Sequence, residues 1–301
     1  MAPLSLLKPR YWLLWVGAGI FWCLTRLPHR GRLAVGRQIG RLAYPFASRR
    51  RTIAHINLKQ CFPELNDTQR NHLLRQHFES LGMGLIESLS AWWLPDAALK
   101  PLEHIEGFEH LQAALESGNG VILLGAHFTS LEIGLRFLTM HTAIHGVYHP
   151  HKNPLIEYFM KQNRESRAEK AIPRYAVRDM LRSLKQNKPL WFATDQNSGH
   201  KHSVFANFFG IPAATNTAAS RLAQLTSAKV VPFFMLRLEN NQGYQIILQA
   251  ALEHFPSGDY VQDMSRINQL IEEQVKKFPE QYLWVHRRFK DRPKGLAKFY
   301  E

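Results

Sequence analysis

Acidic side chains are missing from residues 1–63 of this 301-residue chain: Glu64 is the first carboxylate, and the stretch before it holds eleven of the 38 Lys and Arg. The net charge of +14 is therefore concentrated at one end, and the rest of the chain is close to neutral. Cysteine is almost absent. Cys23 and Cys61 stand apart, with no Cys-x-x-Cys and no Cys/His ligand spacing, which excludes a disulfide framework and argues against a zinc site. Each lies among apolar neighbours, where a thiol packs rather than acts as a nucleophile. No Gly-rich dinucleotide fingerprint and no P-loop occur, so no cofactor is expected. There is no helix-turn-helix pattern, zinc finger or aromatic-basic strand motif, so the positive charge does not point to nucleic acid. With 45% apolar and 11% aromatic residues, the chain can build a large core and is not disordered.

A long hydrophobic run is also lacking. Tyr11 to Thr25 has fifteen uncharged residues between Arg10 and Arg26, fewer than the roughly 20 that a bilayer crossing needs. Snorkelling by Lys8, Arg10 and Arg26, with Trp12, Trp15 and Trp22 at the interface, would stretch it, and the reading adopted is an N-terminal membrane anchor over residues 1–28. Whether it spans or lies in the interface stays open, and the alternative is a buried core helix. No Ala-x-Ala site follows, which disfavours a signal peptide. From Pro28 to Arg51 a helical projection places Arg30, Arg37 and Arg41 on one face and Val35, Ile39, Leu42 and Phe46 on the other. This basic amphipathic helix, residues 29–51, suits anionic lipid headgroups; an ordinary surface helix is the alternative.

Beyond Glu64 helical and strand patterns alternate. Helices are expected over 68–93, with a possible break near Gly82 and Gly84, and over 107–117, 154–169, 177–186, 217–225 and 259–277. Strands are expected at 121–125, 143–148, 189–193, 229–237 and 244–249, with a turn at Asn197-Ser198-Gly199. The alternation implies an α/β fold: a single catalytic domain, residues 29–301, with a mostly parallel central sheet flanked by helices and preceded by the apolar N-terminal helix.

Such folds collect their chemistry at the carboxyl ends of strands. His127 and Glu132 follow the apolar run Val121–Gly125. Five helical positions rotate about 140°, so the two side chains meet only if His127 sits in a turn and Glu132 opens the next helix. A carboxylate would then orient an imidazole that takes a proton from an alcohol. The competing reading is a capping box, with Thr129 and Glu132 satisfying the first helical turn. Ser130 lacks the setting of a nucleophile elbow. Asp195 follows the run Pro189–Ala193 as His127 follows its own, although a turn-forming Asp reads equally well. Arg164 and Arg167 share a helix face, where surface ion pairs to Glu165 or Glu169 are the ordinary outcome.

This constellation resembles the lipid A secondary (late) acyltransferases of Gram-negative bacteria, in the lauroyltransferase-like branch of the glycerolipid-type acyltransferases. The resemblance rests on several ordered blocks covering nearly the whole chain: His127-x4-Glu132, Val147–Leu155 followed by Arg164, Thr194-Asp195-Gln196, Ser203–Gly210 leading to Ala214–Ala218, Val231-Pro232-Phe233 and Gln281–Phe289. It implies transfer of a fatty acyl chain, laurate or a similar C10 to C14 chain, from acyl carrier protein to a hydroxyl of a 3-hydroxyacyl chain on a Kdo-bearing lipid A precursor. His127 and Glu132 would be catalytic, without an acyl-enzyme. Arg164 and Asp195 would bind substrate, Arg164 at a phosphate or the developing oxyanion. The implied partners are acyl carrier protein, the phosphorylated lipid A precursor and inner-membrane lipid; the implied place is the bacterial inner membrane, with the catalytic domain on its cytoplasmic face. Two competing readings remain: another lipid acyltransferase or thioester hydrolase using the same pair, and a non-catalytic, basic membrane-binding protein.

Overall fold

The structure, a computed structural model, describes residues 3–197 and 199–300. Ser198, at the centre of one expected turn, lies outside them. Four helices come first: α1 (Trp12–Leu24), α2 (His29–Phe46), α3 (Ser48–Cys61) and the long α4 (Asp67–Trp93), followed by the single turn α5 (Asp96–Leu99). Strands and helices then alternate through β1 (Glu103–Glu106), α6 (Phe108–Leu115), β2 (Val121–Gly125), α7 (Leu131–Leu138), β3 (His145–Tyr148), α8 (Pro154–Glu165), β4 (Lys170–Pro173), α9 (Val177–Lys185) and β5 (Pro189–Ala193). A hairpin of β6 (Ser203–Phe208) and β7 (Ile211–Asn216) precedes α10 (Ala218–Thr226), β8 (Lys229–Arg237), β9 (Tyr244–Leu248) and α11 (Tyr260–Lys277).

Seven strands form one sheet in the order β1-β9-β8-β2-β5-β3-β4, and only the β8/β9 pair is antiparallel. The central strand β2 is buried along its whole length, as a parallel strand covered on both faces must be. Its alternation divides the core: Ile122 and Leu124 pack towards α3, α9, α10 and α11, whereas Val121 and Leu123 pack towards α6, α7 and the end of α4. Polar residues set the helix starts. Asn66 and Gln69 close a capping box on α4, Asn153 caps α8 ahead of Pro154, and Asp259 caps α11.

The mostly parallel α/β sheet agrees with the sequence reading, but the N-terminal membrane anchor does not. Helix α1 has 13 residues, about 20 Å at 1.5 Å per residue, and among the described residues no helix is long and apolar enough to cross a membrane. The reason lies at its ends: the short 3₁₀ turn Pro9–Tyr11 precedes it, and Pro28 closes the run soon after Leu24. Nor is α1 a core helix, since none of its residues is buried. The faces of α2 are likewise not those expected. Arg37 and Arg41 turn to Glu79 of α4, while Leu42 and Phe46 are exposed, and the buried stripe is Arg32, Leu33, Gly36 and Gly40.

That stripe packs backbone to backbone on α4, which runs unbroken through Gly82 and Gly84. A Cβ at Gly40 would lie 2.1 Å from the Phe78 carbonyl oxygen, and one at Gly84 2.4 Å from that of Thr129. Glycine here permits close approach rather than breaking the helix. Overpacking such a contact typically costs about 1–3 kcal/mol. Gly40→Ala should therefore lower the denaturant midpoint by a free energy of that size, whereas Gly17→Ala, with nothing within 4 Å, should leave it in place. Equal midpoints for the two variants in urea unfolding would overturn the contact.

Candidate active site

Strands β2 and β5 are parallel and in register, with Gly125 opposite Ala193. His127 and Asp195 each stand two residues beyond that pair, so the ladder itself carries them to the same edge. The imidazole Nδ1 lies 2.6 Å from Asp195 Oδ1, and the His127 main-chain N–H donates to Oδ2 at 2.9 Å. An ionised carboxylate only accepts, so Nδ1 carries the hydrogen and Nε2 keeps its lone pair. The His127 side chain is 28% exposed and that of Asp195 1%, so one group meets incoming molecules and the other does not. Burial pushes the Asp195 carboxyl up, but the His127 charge and the two hydrogen bonds outweigh it and hold the group down at about 2.

The turn bearing His127 is clamped by the segment after α11. Leu283 N–H donates to the His127 carbonyl at 3.0 Å, and Thr129 N–H to the Gln281 carbonyl at 2.8 Å. From the same segment His286 Nε2 accepts the Asn197 N–H at 2.9 Å, which fixes the loop just after Asp195. Burial lowers the His286 imidazole to about 4 against the opposing pull of Asp195, so it is a neutral acceptor at pH 7. Arg288, in the same segment, is buried too and donates to the Ala214 carbonyl at 2.7 Å.

Glu132 opens α7 as expected, yet it makes no hydrogen bond to His127. Arg164 of α8 grips it with both forks, Nε to Oε1 at 2.9 Å and Nη2 to Oε2 at 2.6 Å, and Trp92 Nε1 donates to Oε1 at 2.8 Å. Burial would raise the Glu132 carboxyl, but the guanidinium overrides it and the net shift is downward. The orienting carboxylate foreseen in Glu132 is thus supplied by Asp195. The capping box does not form either: the Thr129 hydroxyl lies 2.7 Å from that of Ser80, on α4. The Ser130 hydroxyl is buried and donates to the Met235 carbonyl at 3.1 Å, aimed away from any substrate.

Glu132 and Arg164 line a cleft between α4, α7 and α8 that opens to solvent. Its other walls include Trp92, Ile144, Tyr148 and Trp191. The Trp191 ring meets His127 edge-on with centroids 6.3 Å apart, so the apolar cleft adjoins the imidazole. Trp92, Trp191 and His286 escape sequence reasoning because each acts through tertiary contact alone. Only the equal offsets of His127 and Asp195 from their strands signal a pairing. Among the described residues no group of three or more His, Cys, Asp and Glu is arranged to hold a metal ion.

A mostly parallel sheet that positions an imidazole–carboxylate pair beside an apolar cleft is the build of an α/β acyltransferase. The chain belongs to the bacterial lipid A biosynthesis acyltransferases, whose family model matches residues 3–291. It is 36% identical to the lipid A biosynthesis lauroyltransferase of Escherichia coli K12, over 98% of this chain and 97% of that one. It is 37% identical to the palmitoleoyltransferase of the same organism, over 98% and 96%, and 33% identical to a lipid A biosynthesis acyltransferase of Haemophilus influenzae, over 95% and 93%. Late acylation of lipid A is accordingly the activity of the chain.

The low Asp195 pKa has a pH signature. A carboxyl at about 2 in the folded chain, against 3.8 ordinarily, adds stability that is full above pH 5 and is lost as pH falls through 4 towards 2, about 2 kcal/mol in all. The gap in unfolding free energy between wild type and Asp195→Asn should narrow over that window in acid titrations. A gap independent of pH would contradict the pairing.

Proposed function

We propose that the protein moves a fatty acyl chain from acyl carrier protein to a hydroxyl of a 3-hydroxyacyl chain on a phosphorylated, Kdo-bearing lipid A precursor. The observation that carries this reading is the His127–Asp195 pair: it leaves Nε2 as the one unbonded basic atom of the imidazole, on a ring that meets Trp191, a wall residue of the apolar cleft. Nε2 takes the proton of the acceptor hydroxyl as its oxygen bonds to the thioester carbonyl carbon. The C–S bond then breaks, and the imidazolium returns the proton to the departing thiolate. Asp195 holds the ring in the required tautomer and stabilises its charged form. The thioester is already activated, so this route draws on no cofactor and no acyl-enzyme.

In this reading Glu132 acts on Arg164 rather than on His127. Paired, the two make a rigid and nearly neutral wall beside Trp92, suited to an uncharged thioester and its hydrocarbon chain. Likeness to relatives named for lauroyl and palmitoleoyl transfer supports a chain in the medium to long range. Work at the cytoplasmic face of the inner membrane fits both substrates, and the exposed Leu13, Val16, Ile20, Leu42 and Phe46 offer apolar contact with a lipid surface without crossing it.

The test is turnover of acyl carrier protein loaded with C10 to C16 chains in the presence of a Kdo-bearing tetra-acylated precursor. His127→Ala should lower kcat by a factor of 10² to 10⁴ or more while remaining folded, and Asp195→Asn should follow in the same direction. Undiminished product from His127→Ala would refute the mechanism. Free fatty acid without acylated acceptor would make the protein a thioester hydrolase instead.

A further inference from the structure

A second polar site lies away from His127, where the turn between α1 and α2 faces the end of α4. Arg32 is only 6% exposed, yet it forms no ion pair among the described residues. Its one side-chain hydrogen bond among the described residues runs from Nη1 to the Thr25 carbonyl at 3.2 Å. Burial lowers its pKa, and the nearby Tyr244 hydroxyl, which donates to Glu87 at 2.9 Å, pulls the other way without reversing the shift. A buried guanidinium without a carboxylate is an uncompensated cation, the arrangement that proteins otherwise avoid.

Arg32 borders a cleft that opens to solvent. Thr25, Arg26, His29 and Arg32 form one wall and Pro95 and Ala98 part of the other; no Asp or Glu lines it. His29 Nε2 is buried and has no hydrogen-bond partner. Burial lowers this imidazole to about 4, with Arg32 adding to the effect, so at pH 7 it is neutral rather than a second fixed charge. The cleft also takes in the start of α2, an 18-residue helix whose first N–H groups point outward. Next to it Trp22, Leu27 and Ile20 are exposed.

We propose that this cleft binds a phosphate monoester carried by a lipid, with Arg32 as its buried counter-charge, His29 and the α2 N-terminus as hydrogen-bond donors, and the adjoining apolar residues against the lipid. A phosphate brings the compensating charge and enough acceptor oxygens for all of these donors. The site is separate from the acyl-transfer reading, because neither His127 nor Asp195 takes part. Two sources share this chemistry: the phosphate of the glycolipid acceptor, and the headgroup of a bilayer lipid such as phosphatidic acid.

The experiment compares the full-length wild type with Arg32→Gln and with Ala98→Glu, which sets a carboxylate on the exposed wall of the cleft without touching Arg32. Inorganic phosphate, against chloride at matched ionic strength, should raise the Tm of the wild type and of neither variant. This arm needs no turnover, so it stands or falls independently of the acyl-transfer reading. A tenfold rise in acceptor KM with kcat within twofold would identify the acceptor's phosphate. A tenfold loss of sedimentation with phosphatidylcholine vesicles containing phosphatidic acid, at unchanged KM, would identify the bilayer headgroup. No phosphate shift in the wild type, or an equal shift in both variants, would overturn the proposal.

Discussion

The contact on which the rest depends is the buried ion pair of Glu87 on α4 and Arg237 at the end of β8. Arg237 reaches both carboxylate oxygens, at 2.5 and 2.7 Å, and the two side chains are 2% and 6% exposed. Two charges so far from water hold only if every remaining donor and acceptor is met. They are: Tyr244 donates to Glu87, Arg237 Nη1 to the Ser80 hydroxyl, and Gln281 bridges both peptide groups of Arg237. The same network reaches the Thr129 hydroxyl and so the turn that carries His127. A polar cluster made necessary by burial thereby joins the long helix, the sheet and the segment after α11 around the site.

The two charged pairs near the cleft divide the work. His127 and Asp195 sit at strand ends, one partly open and the other sealed, which leaves a base facing outward and its support inward. Glu132 and Arg164 sit on helices and neutralise each other, so this pair adds polarity to the cleft wall without net charge of its own. A buried guanidinium without an ion pair among the described residues lies elsewhere, at Arg32.

Much of the scaffold was legible because it is written in local pattern. The runs Val121–Gly125, Pro189–Ala193 and Lys229–Arg237 fold as strands with the expected bounds, and Asp259 caps α11 just where the helical period begins. Local pattern failed where tertiary contact decided. The helix expected to Glu169 ends at Glu165, because Lys170–Pro173 pairs with β3 as an edge strand. The apolar stripe of α2 faces outward, because glycines give α4 a closer and larger contact on the other side. The membrane anchor misled for a related reason: hydropathy records the apolar character of Tyr11 to Thr25 but not where the helix starts and stops. At the site, all four chosen residues lie together, yet their pairing crossed over. Glu132 is five residues from His127 and Asp195 is 68 away, and sequence distance favoured the wrong partner.

The register of β2 against β5 has a consequence of its own. Hydrogen-bond ladders slip in whole residues, about 3.3 Å at a time, and each step turns a side chain to the opposite face. His127 and Asp195 stand two residues past the last pair of that ladder, so a slip of one register would part them by a whole residue. Catalytic geometry is in this sense digital, protected against small elastic deformations of the surrounding helices by the same discreteness that makes a misfolded sheet inert.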